Sequence, residues 1–323
     1  METFEDRLQY YRQIINEKLP QVVNKTEPVS FYEPVRYILD GGGKRIRPIL
    51  LMLACGSVGG RIDSSIEAAV AIELLHNFTL VHDDIMDHDD LRRNKVTVHK
   101  KWDEATAILA GDGLVALAYH YLLQTKSNDI REIGKIFTDG IIQLCEGQAL
   151  DKEFENRFDI DLTQYMSMIE KKTARLLMIS AEIGAIVGGG TMTERLLLRE
   201  FARELGCAFQ IQDDLLDMSK TSGKTFASDI LRKKKTFLFV HALNNASETD
   251  KKIIKKIYRQ PQVSQTDVAT ISHTFSKTGT LEFARQEVEM RLNKTEQLAA
   301  QLKSSPAKDD LLSLLPMILN RNF

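Results

Sequence analysis

Residues 66–81 read IEAAVAIELLHNFTLV, and this stretch decides the fold class. Its apolar residues occupy nearly every side of an α-helix, which predicts a buried helix at the centre of the molecule. Residues 176–187 and 201–218 have the same character. The chain has no Asn-Gly or Asp-Gly between alternating strands, which would signal a tight hairpin. The sequence therefore predicts an all-α fold without β-strands.

The breaks between these helical segments are short. Only 7 prolines and 18 glycines interrupt the 323 residues, and no segment is long or biased enough in composition to mark a linker between domains. The pattern predicts about ten or more helices joined by short loops. We therefore expect a single large all-α domain, a helical bundle that spans residues 1–323.

The composition restricts the range of functions. The chain carries 43 basic and 45 acidic side chains, a net charge of −2, which argues against broad binding to nucleic acid or to an anionic membrane surface. No apolar stretch approaches the roughly 18 residues of a membrane span, and the first residues lack the features of a signal peptide. The three cysteines are widely spaced and are interpreted as reduced thiols. We expect a soluble, cytoplasmic protein without a membrane span or a nucleic-acid partner.

Two acidic clusters repeat one pattern, DDIMD at residues 83–87 and DDLLD at residues 213–217. Each follows a strongly apolar helical segment, so its first and last aspartates lie one turn apart on the same helix face. Like charges at that spacing repel each other, and the negative end of the helix dipole adds to the repulsion. A positively charged partner is needed to offset this repulsion.

Magnesium is the cation that fits these clusters, because Mg²⁺ characteristically takes one or two carboxylates together with waters and substrate phosphates. A single cluster of this kind is usually a solvated helix end, but two copies that each end an apolar helix favour a site. The spacing excludes an EF-hand, which needs alternating oxygen ligands and a central glycine. We predict magnesium ions that clamp a diphosphate between the clusters, with the candidate ligands Asp83, Asp84, Asp87, Asp213, Asp214 and Asp217.

Short basic segments supply the complementary charge. They are GGGKRIRP at 41–48, LRRNK at 91–95, KKT at 171–173, GKT at 223–225 and KKKT at 233–236. The GKT segment does not complete a P-loop, because Met218 stands where that motif needs glycine and no strand precedes it. Cations that flank both acidic clusters predict a site for two diphosphates.

Together these motifs resemble those of the trans-isoprenyl diphosphate synthases. The matching segments occur in the family's order: GGKRIRP at 42–48, DDIMD at 83–87 with Arg92-Arg93, KTA at 172–174 and FQIQDDLLD at 209–217. The resemblance implies an all-α, homodimeric fold around a deep central cavity. It also implies head-to-tail condensation of isopentenyl diphosphate with an allylic diphosphate, which is dimethylallyl, geranyl or farnesyl diphosphate.

The resemblance also implies roles for individual residues. Three Mg²⁺ ions are expected on Asp83, Asp87 and Asp213, supported by Asp84, Asp214 and Asp217. Further contacts to the allylic diphosphate are expected from Arg92, Lys172, Lys224 and Lys234. The pocket for isopentenyl diphosphate, which binds without metal, is expected to comprise Lys44, Arg47, His76 and Arg93. The expected catalytic set is Lys172, Thr173 and Gln210, and the oxygens of the last two face the allylic carbocation.

By the same resemblance, the residues just before the first acidic cluster form the floor of the cavity in which the product grows. Phe78 and Thr79 stand there, and a side chain as large as phenylalanine stops growth early. The first cluster also lacks the two-residue insertion that is common in bacterial farnesyl diphosphate synthases. We predict geranylgeranyl diphosphate (C20) as the product, with farnesyl diphosphate (C15) as the alternative.

Two other functions share parts of this pattern. A class I terpene cyclase has the same fold and first acidic cluster, but it usually carries a different second motif and needs no isopentenyl pocket. A non-catalytic partner subunit of a heteromeric synthase tends to lose aspartates from one cluster. The complete set of six aspartates, with the basic residues Lys44, Arg47 and Arg93, favours an active synthase.

Overall fold

The computed structural model describes residues 3–219 and 226–320. The first eight α-helices in these ranges are α1 (Phe4–Lys18), α2 (Val29–Leu39), α3 (Ile46–Ser57), α4 (Ile66–Met86), α5 (Val98–Lys101), α6 (Glu104–Leu122), α7 (Ile130–Phe154) and α8 (Leu162–Ile169). The next eight are α9 (Arg175–Val187), α10 (Met192–Asp217), α11 (Ser228–Leu231), α12 (Phe237–Asn245), α13 (Glu248–Arg259), α14 (Gln265–Lys277), α15 (Thr280–Ala300) and α16 (Pro306–Asn320). Helices make up 77% of the structure, against about a third in an average globular protein. The predicted all-α fold is confirmed.

The chain divides into two compact units. The first comprises residues 1–138, 179–199 and 302–313, and the second comprises residues 139–178, 200–301 and 314–323. Each unit has its own buried helices, which are described separately below. The single domain expected over residues 1–323 stays a prediction.

Helices α3 and α4 form the core of the first unit. Every residue from Ile49 to Cys55 in α3 is fully buried, and every residue from Ala68 to Leu75 in α4 is at least 99% buried. Helix α6 packs along α4, where Gly111 leaves room for the His82 ring. The all-round apolar pattern of residues 66–81 therefore corresponds to a buried helix, as the sequence predicts.

The apolar core of the second unit includes α12. Its residues from Phe237 to Leu243 are buried on every side, and the helix packs against α8, α14 and α15. Helix α12 begins where the Thr236 hydroxyl accepts a hydrogen bond from the Phe239 amide, which caps the helix. Tyr165 of α8 belongs to the same core.

A short hairpin contradicts the prediction of a chain without strands. Strand β1 (Leu91–Arg92) pairs antiparallel with β2 (Lys95–Val96). The two turn residues, Arg93 and Asn94, have positive φ angles of 51° and 61°. A two-residue turn with both φ angles positive is of type I′, which Asn-Gly normally signals. Because Arg-Asn is not a sequence signal for this turn, the prediction missed the hairpin.

By length and composition alone, α6 is the one helix in the described ranges that is apolar enough to cross a membrane. It begins at Glu104, contains Asp112 and His120, and packs against α2, α4 and α5 within the first unit. The composition of α6 is therefore weak support for a membrane segment.

Helices α3 and α9 meet at Gly184. A β-carbon added there would lie 2.1 Å from the carbonyl oxygen of Leu51. We expect Gly184→Ala to lower the free energy of unfolding by about 1–3 kcal/mol, because the methyl group overpacks a backbone contact. Gly134→Ala in α7 is the matched control, since nothing lies within 4 Å of its β-carbon. Chemical denaturation of both variants measures the difference, and equal stabilities would contradict the close contact.

Candidate active site

The first acidic cluster closes α4. The helix ends at Met86, and the Asp87 amide donates a hydrogen bond to the Asp83 carbonyl oxygen at 2.8 Å. Asp83 is half-buried and Asp87 is exposed, whereas Asp84 is buried. The last turn therefore divides the cluster, with Asp83 and Asp87 on one face and Asp84 on another.

Asp84 is held by Arg92 of the hairpin. Its Oδ1 accepts a hydrogen bond from Arg92 Nε at 2.7 Å and lies 2.5 Å from Nη2. The same guanidinium reaches Asp89 at 3.3 Å. Burial raises the pKa of Asp84, and the hydrogen bond from Arg92 opposes that shift. The ion pair fixes the hairpin to the end of α4.

The loop before α3 is in contact with Arg93. The Arg93 Nη1 donates a hydrogen bond to the Gly42 carbonyl oxygen, and a β-carbon at Gly43 would lie 2.7 Å from the same nitrogen. Gly43 also has a φ of 144°, a backbone conformation that favours glycine. Lys44 follows on the same loop and is exposed. The glycine-rich segment thus brings a guanidinium group against its backbone.

Arg47 and Arg93 form a cationic cluster around His76. Arg47 Nη1 lies 3.2 Å from His76 Nε2, and neither arginine forms an ion pair within the described part of the chain. Burial lowers the pKa of Arg47 to about 10; Glu73 opposes this shift and Arg93 adds to it. Burial also lowers the pKa of His76 well below its usual value, and the two arginines add to the effect. His76 is therefore neutral at pH 7, and the cluster suits an anionic ligand.

Arg45 differs from its basic neighbours. Its side chain is buried, with Nη1 at 2.5 Å from Glu73 Oε1, and its Nε donates a hydrogen bond to Asn16 at 2.9 Å. The pair joins α1, α4 and the start of α3. One cation of the GGGKRIRP segment is therefore structural and takes no part in the anion cluster.

The second acidic cluster closes α10, and its middle aspartate is also buried. Asp214 Oδ2 accepts hydrogen bonds from the Tyr165 hydroxyl at 3.0 Å and the Phe237 amide at 2.8 Å. Its Oδ1 accepts from Gln210 Nε2 at 3.1 Å. Burial, together with the nearby Asp229, raises the pKa of Asp214 to about 7. Three donors hold this carboxylate in place.

Asp217 caps a short helix. Its buried carboxylate accepts hydrogen bonds from the Ser228 hydroxyl at 2.5 Å and from the amides of Ser228 and Asp229 at 3.1 and 3.0 Å. These amides begin α11, where a carboxylate is favourable. Asp213 is half-buried, in contrast to Asp214 and Asp217. The second cluster therefore has two structurally bonded members and one more accessible member.

A π-helical turn positions Lys172 and Thr173. The turn spans Glu170–Ala174 between α8 and α9, and such turns recur at functional sites. Helix α7 approaches it at Gly147, where a β-carbon would lie 2.4 Å from the Lys172 backbone nitrogen. Asp151, one turn further along α7, pairs with Lys172 Nζ at 2.5 Å. The sequence placed these residues before an apolar helix but had no signal for the turn.

Thr173 and Gln210 belong to one hydrogen-bonded chain. The Thr173 hydroxyl donates to Gln210 Oε1 at 3.0 Å, and Gln210 Nε2 donates to Asp214. Because its oxygen and its nitrogen both have partners, the amide orientation of Gln210 is fixed. The structure therefore brings all three expected catalytic residues into one unit, with Lys172 adjacent to Thr173 in the π-helical turn.

Phe78 and Thr79 lie on α4, about one turn before the first cluster. The Phe78 ring packs edge-to-face on His82, with 4.6 Å between ring centroids. Thr79 donates a hydrogen bond through Oγ1 to the His76 carbonyl oxygen at 2.8 Å. Both side chains are half-buried. Their place as a cavity floor stays a prediction.

The two remaining candidates come from the second unit. Lys234 lies between α11 and α12, and its carbonyl oxygen accepts a hydrogen bond from the Tyr258 hydroxyl at 3.5 Å. Lys224 lies outside the described residues. By the resemblance, these lysines were expected to contact the same diphosphate as Arg92, whose guanidinium pairs with Asp84 in the first unit.

The donor chemistry of the clusters fits magnesium. In residues 3–219 and 226–320, no group of three or more His, Cys, Asp or Glu side chains converges on a metal position. Mg²⁺ does not require such a group, because it takes one or two carboxylates and completes its shell with waters and phosphate oxygens. Asp83 and Asp87, one turn apart on a partly exposed face, meet that requirement together with a diphosphate.

The family follows from comparison with known proteins. The model of the polyprenyl synthetase family matches residues 28–275, more than half of the chain. The chain belongs to this family. A geranylgeranyl diphosphate synthase of Methanosarcina mazei is 33% identical over 99% of both chains, and a geranylfarnesyl diphosphate synthase of Natronomonas pharaonis is 36% identical over 85% of both. The crystal structure of geranylgeranyl pyrophosphate synthetase from Pyrococcus horikoshii is 35% identical, with a TM-score of 0.94, and covers 99% of this chain and 98% of that one.

These comparisons confirm the resemblance to the trans-isoprenyl diphosphate synthases, and this polyprenyl synthetase is a prenyltransferase. The sequence analysis missed the side chains that hold the motif residues in place. Glu73 and Tyr165 are the main examples: each lies in a helical segment without a motif and acts through a distant partner. Their roles become visible only in the folded chain.

The hydrogen bond from Tyr165 to Asp214 should stabilise the second unit. We expect Tyr165→Phe to lower the free energy of unfolding by about 1.5–3 kcal/mol, because it removes a donor from a buried carboxylate. Tyr119→Phe is the control, since it loses only a bond near the surface, to Thr138 at 2.7 Å, and should cost no more than about 0.5 kcal/mol. Chemical denaturation at pH 8 compares them, and equal losses would contradict the buried bond's contribution.

Proposed function

We propose that this polyprenyl synthetase condenses isopentenyl diphosphate head-to-tail with an allylic diphosphate and releases geranylgeranyl diphosphate (C20). The observation that carries the proposal is the cluster of Arg47 and Arg93, with which no carboxylate forms an ion pair in the described ranges. A synthase needs an anion site of this kind in addition to its aspartates, whereas a cyclase acts on one diphosphate. The M. mazei and P. horikoshii proteins, both named for geranylgeranyl products, support the C20 length.

Isopentenyl diphosphate binds, in this proposal, to Lys44, Arg47, His76 and Arg93. The two guanidinium groups carry the charge, and neutral His76 orients Arg47 by accepting its hydrogen bond. A bound diphosphate neutralises the clustered cations and removes their mutual repulsion. The site therefore needs no metal to hold this substrate.

In this proposal the acidic clusters would hold three Mg²⁺ ions, which would supply positive charge for the allylic diphosphate. Asp83, Asp87 and Asp213 hold the ions, while Asp84, Asp214 and Asp217 support them through the protein bonds described above. When bound, Mg²⁺ supplies positive charge that stabilises the departing diphosphate. The protein adds cations to the same diphosphate from Arg92, Lys172, Lys224 and Lys234.

The reaction needs no side-chain nucleophile. The allylic carbon–oxygen bond breaks, the diphosphate takes the electron pair, and positive charge develops on the allylic carbon. Gln210 presents its amide oxygen to that carbon beside the Thr173 hydroxyl, because its amide nitrogen is bonded to Asp214. The double bond of isopentenyl diphosphate attacks the cation, and the new cation loses a proton to the released diphosphate. Exclusion of water protects the cation.

We also propose that the chain works as a cytoplasmic homodimer. Helix α6 exposes Ile108 and Leu109, with 45% and 59% of their surface accessible. Adjacent exposed apolar residues on the open face of a helix that packs against α2, α4 and α5 suit an interface with a second copy. The net charge of −2 supports the absence of a nucleic-acid partner.

A product assay tests the proposed reaction. The purified chain is incubated with Mg²⁺, labelled isopentenyl diphosphate and, separately, dimethylallyl, geranyl and farnesyl diphosphates, and the dephosphorylated alcohols are separated by length. We expect a C20 alcohol from all three primers, and no product when a chelator removes the metal. A C15 alcohol, with farnesyl diphosphate left unused as a primer, would show that the chain is a farnesyl diphosphate synthase.

Other outcomes of the assay contradict the proposal more broadly. A C25 or longer alcohol would remove the C20 assignment. Cyclic hydrocarbons from an allylic diphosphate alone would show a terpene cyclase. The absence of any Mg²⁺-dependent product would favour a non-catalytic partner subunit.

The proposed cavity floor predicts a change in product length. We expect Phe78→Ala to shift the main product from C20 to C25 or longer, because a smaller side chain leaves room for another isoprene unit. Leu80→Ala is the control, since Leu80 lines a small cavity of about 50 Å³ under the hairpin, together with Tyr37 and Val96. That variant should lose stability and keep the C20 product. Unchanged length in Phe78→Ala would remove the floor assignment.

A further inference from the structure

Lys235 is a buried charged residue of the second unit. It is the last residue of the lysine run 233–235, and it is only 7% exposed. No carboxylate pairs with its ammonium group within the described part of the chain. A buried, unpaired lysine is rare in proteins, because removal of its charge from water is unfavourable.

Three aromatic rings surround the ammonium group of Lys235. The Nζ atom lies 3.8 Å from the ring centroid of Phe158, 4.4 Å from that of Phe239 and 4.6 Å from that of Tyr258. These rings belong to three elements: the loop after α7, helix α12 and helix α13. We name this set of rings the aromatic cage. Each ring face attracts the cation, and the attraction is stronger in a desolvated site.

The cage does not fully offset the burial of the charge. Burial lowers the pKa of Lys235 to about 7, and the nearby Lys233 and Arg259 add to the shift. Methionine or leucine would fill the same space without this cost. A residue that lowers the stability of the folded protein at its own position is typical of a functional constraint.

The cage lies next to Lys234, the proposed ligand of the allylic diphosphate. On one side of Lys234, the Lys233 ammonium donates a hydrogen bond to the Gln260 carbonyl oxygen at 2.7 Å. On the other side Lys235 is held in the cage, and Tyr258 of the cage also bonds the Lys234 carbonyl oxygen. The backbone of Lys234 is thus restrained by the side-chain contacts of both neighbouring residues and by the hydrogen bond to its own carbonyl oxygen.

The same segment leads directly into the second acidic cluster. Thr236 caps α12, and the Phe237 amide donates a hydrogen bond to Asp214 at 2.8 Å. The position of Lys235 is therefore coupled through two residues of chain to the carboxylate that supports the cluster.

We propose that Lys235 is a positioning residue, whose ammonium group in the aromatic cage fixes the direction of Lys234 toward the allylic diphosphate. This inference rests on the proposed function of Lys234. Lys235 itself does not touch substrate, so its loss should affect the allylic substrate and leave the isopentenyl pocket of the first unit unchanged.

The test compares Lys235→Met, Lys235→Arg and Lys234→Ala in the full-length enzyme by steady-state kinetics and thermal unfolding. We expect Lys235→Met to lower kcat/KM for farnesyl diphosphate about tenfold or more, with an unchanged KM for isopentenyl diphosphate and an unchanged or raised Tm. Lys235→Arg keeps a cation in the cage and should recover activity to within about threefold of wild type. Lys252→Met, at an exposed lysine of α13, is the control.

Several results would overturn the inference. The first is that Lys235→Met keeps wild-type kinetics while Lys234→Ala loses affinity for the allylic substrate. This result would leave the proposed function of Lys234 intact. Equal losses in Lys235→Met and Lys235→Arg with a lowered Tm would show a structural role alone. Wild-type kinetics in Lys234→Ala would instead remove the function on which the inference rests.

Discussion

The internal neutralisation of charge is the constraint on which the rest of the site depends. A buried cation that is paired with a carboxylate stabilises the fold, whereas unpaired guanidinium groups beside the glycine-rich loop are available to an external anion. Arg45 is neutralised by Glu73 and joins three helices. Arg47, two residues further on, has no carboxylate partner in the described ranges and contacts neutral His76. One short segment thus supplies both a structural cation and the cation that we propose for the substrate.

The acidic clusters also contain both carboxylates that are bonded within the protein and carboxylates that are more accessible. In each cluster the second aspartate is buried and bonded to the protein, Asp84 to Arg92 and Asp214 to Tyr165. These bonds fix the ends of two long helices, so the neighbouring carboxylates on the more accessible faces keep a defined position. Under the proposed function, metal binding by Asp83, Asp87 and Asp213 would therefore require little rearrangement, which lowers the entropy lost when a diphosphate is bound.

The sequence predicted the parts of the structure that depend on local pattern. Helix α4 and the shared face of each acidic cluster follow from helical periodicity, because one helix face can be read from residue numbers. The family follows from the resemblance of the motifs to those of known proteins. The hairpin at Arg93 was missed because its turn lacks the usual residues. The π-helical turn at Lys172 packs closely against α7 at Gly147, and the aromatic cage of Lys235 unites three distant segments. Such features depend on tertiary contacts that no local pattern records.

Calorimetric titration of isopentenyl diphosphate into the chain in the presence of a chelator tests the charge assignment most directly. The cationic cluster predicts binding without Mg²⁺, weakened at least about tenfold in Arg47→Met because a charge-assisted contact is lost. Arg36→Met, which removes an arginine bonded to the Lys25 carbonyl oxygen, should bind as the wild type does. Binding that requires Mg²⁺, or equal affinities in wild type and Arg47→Met, would contradict the assignment of this cluster to the substrate.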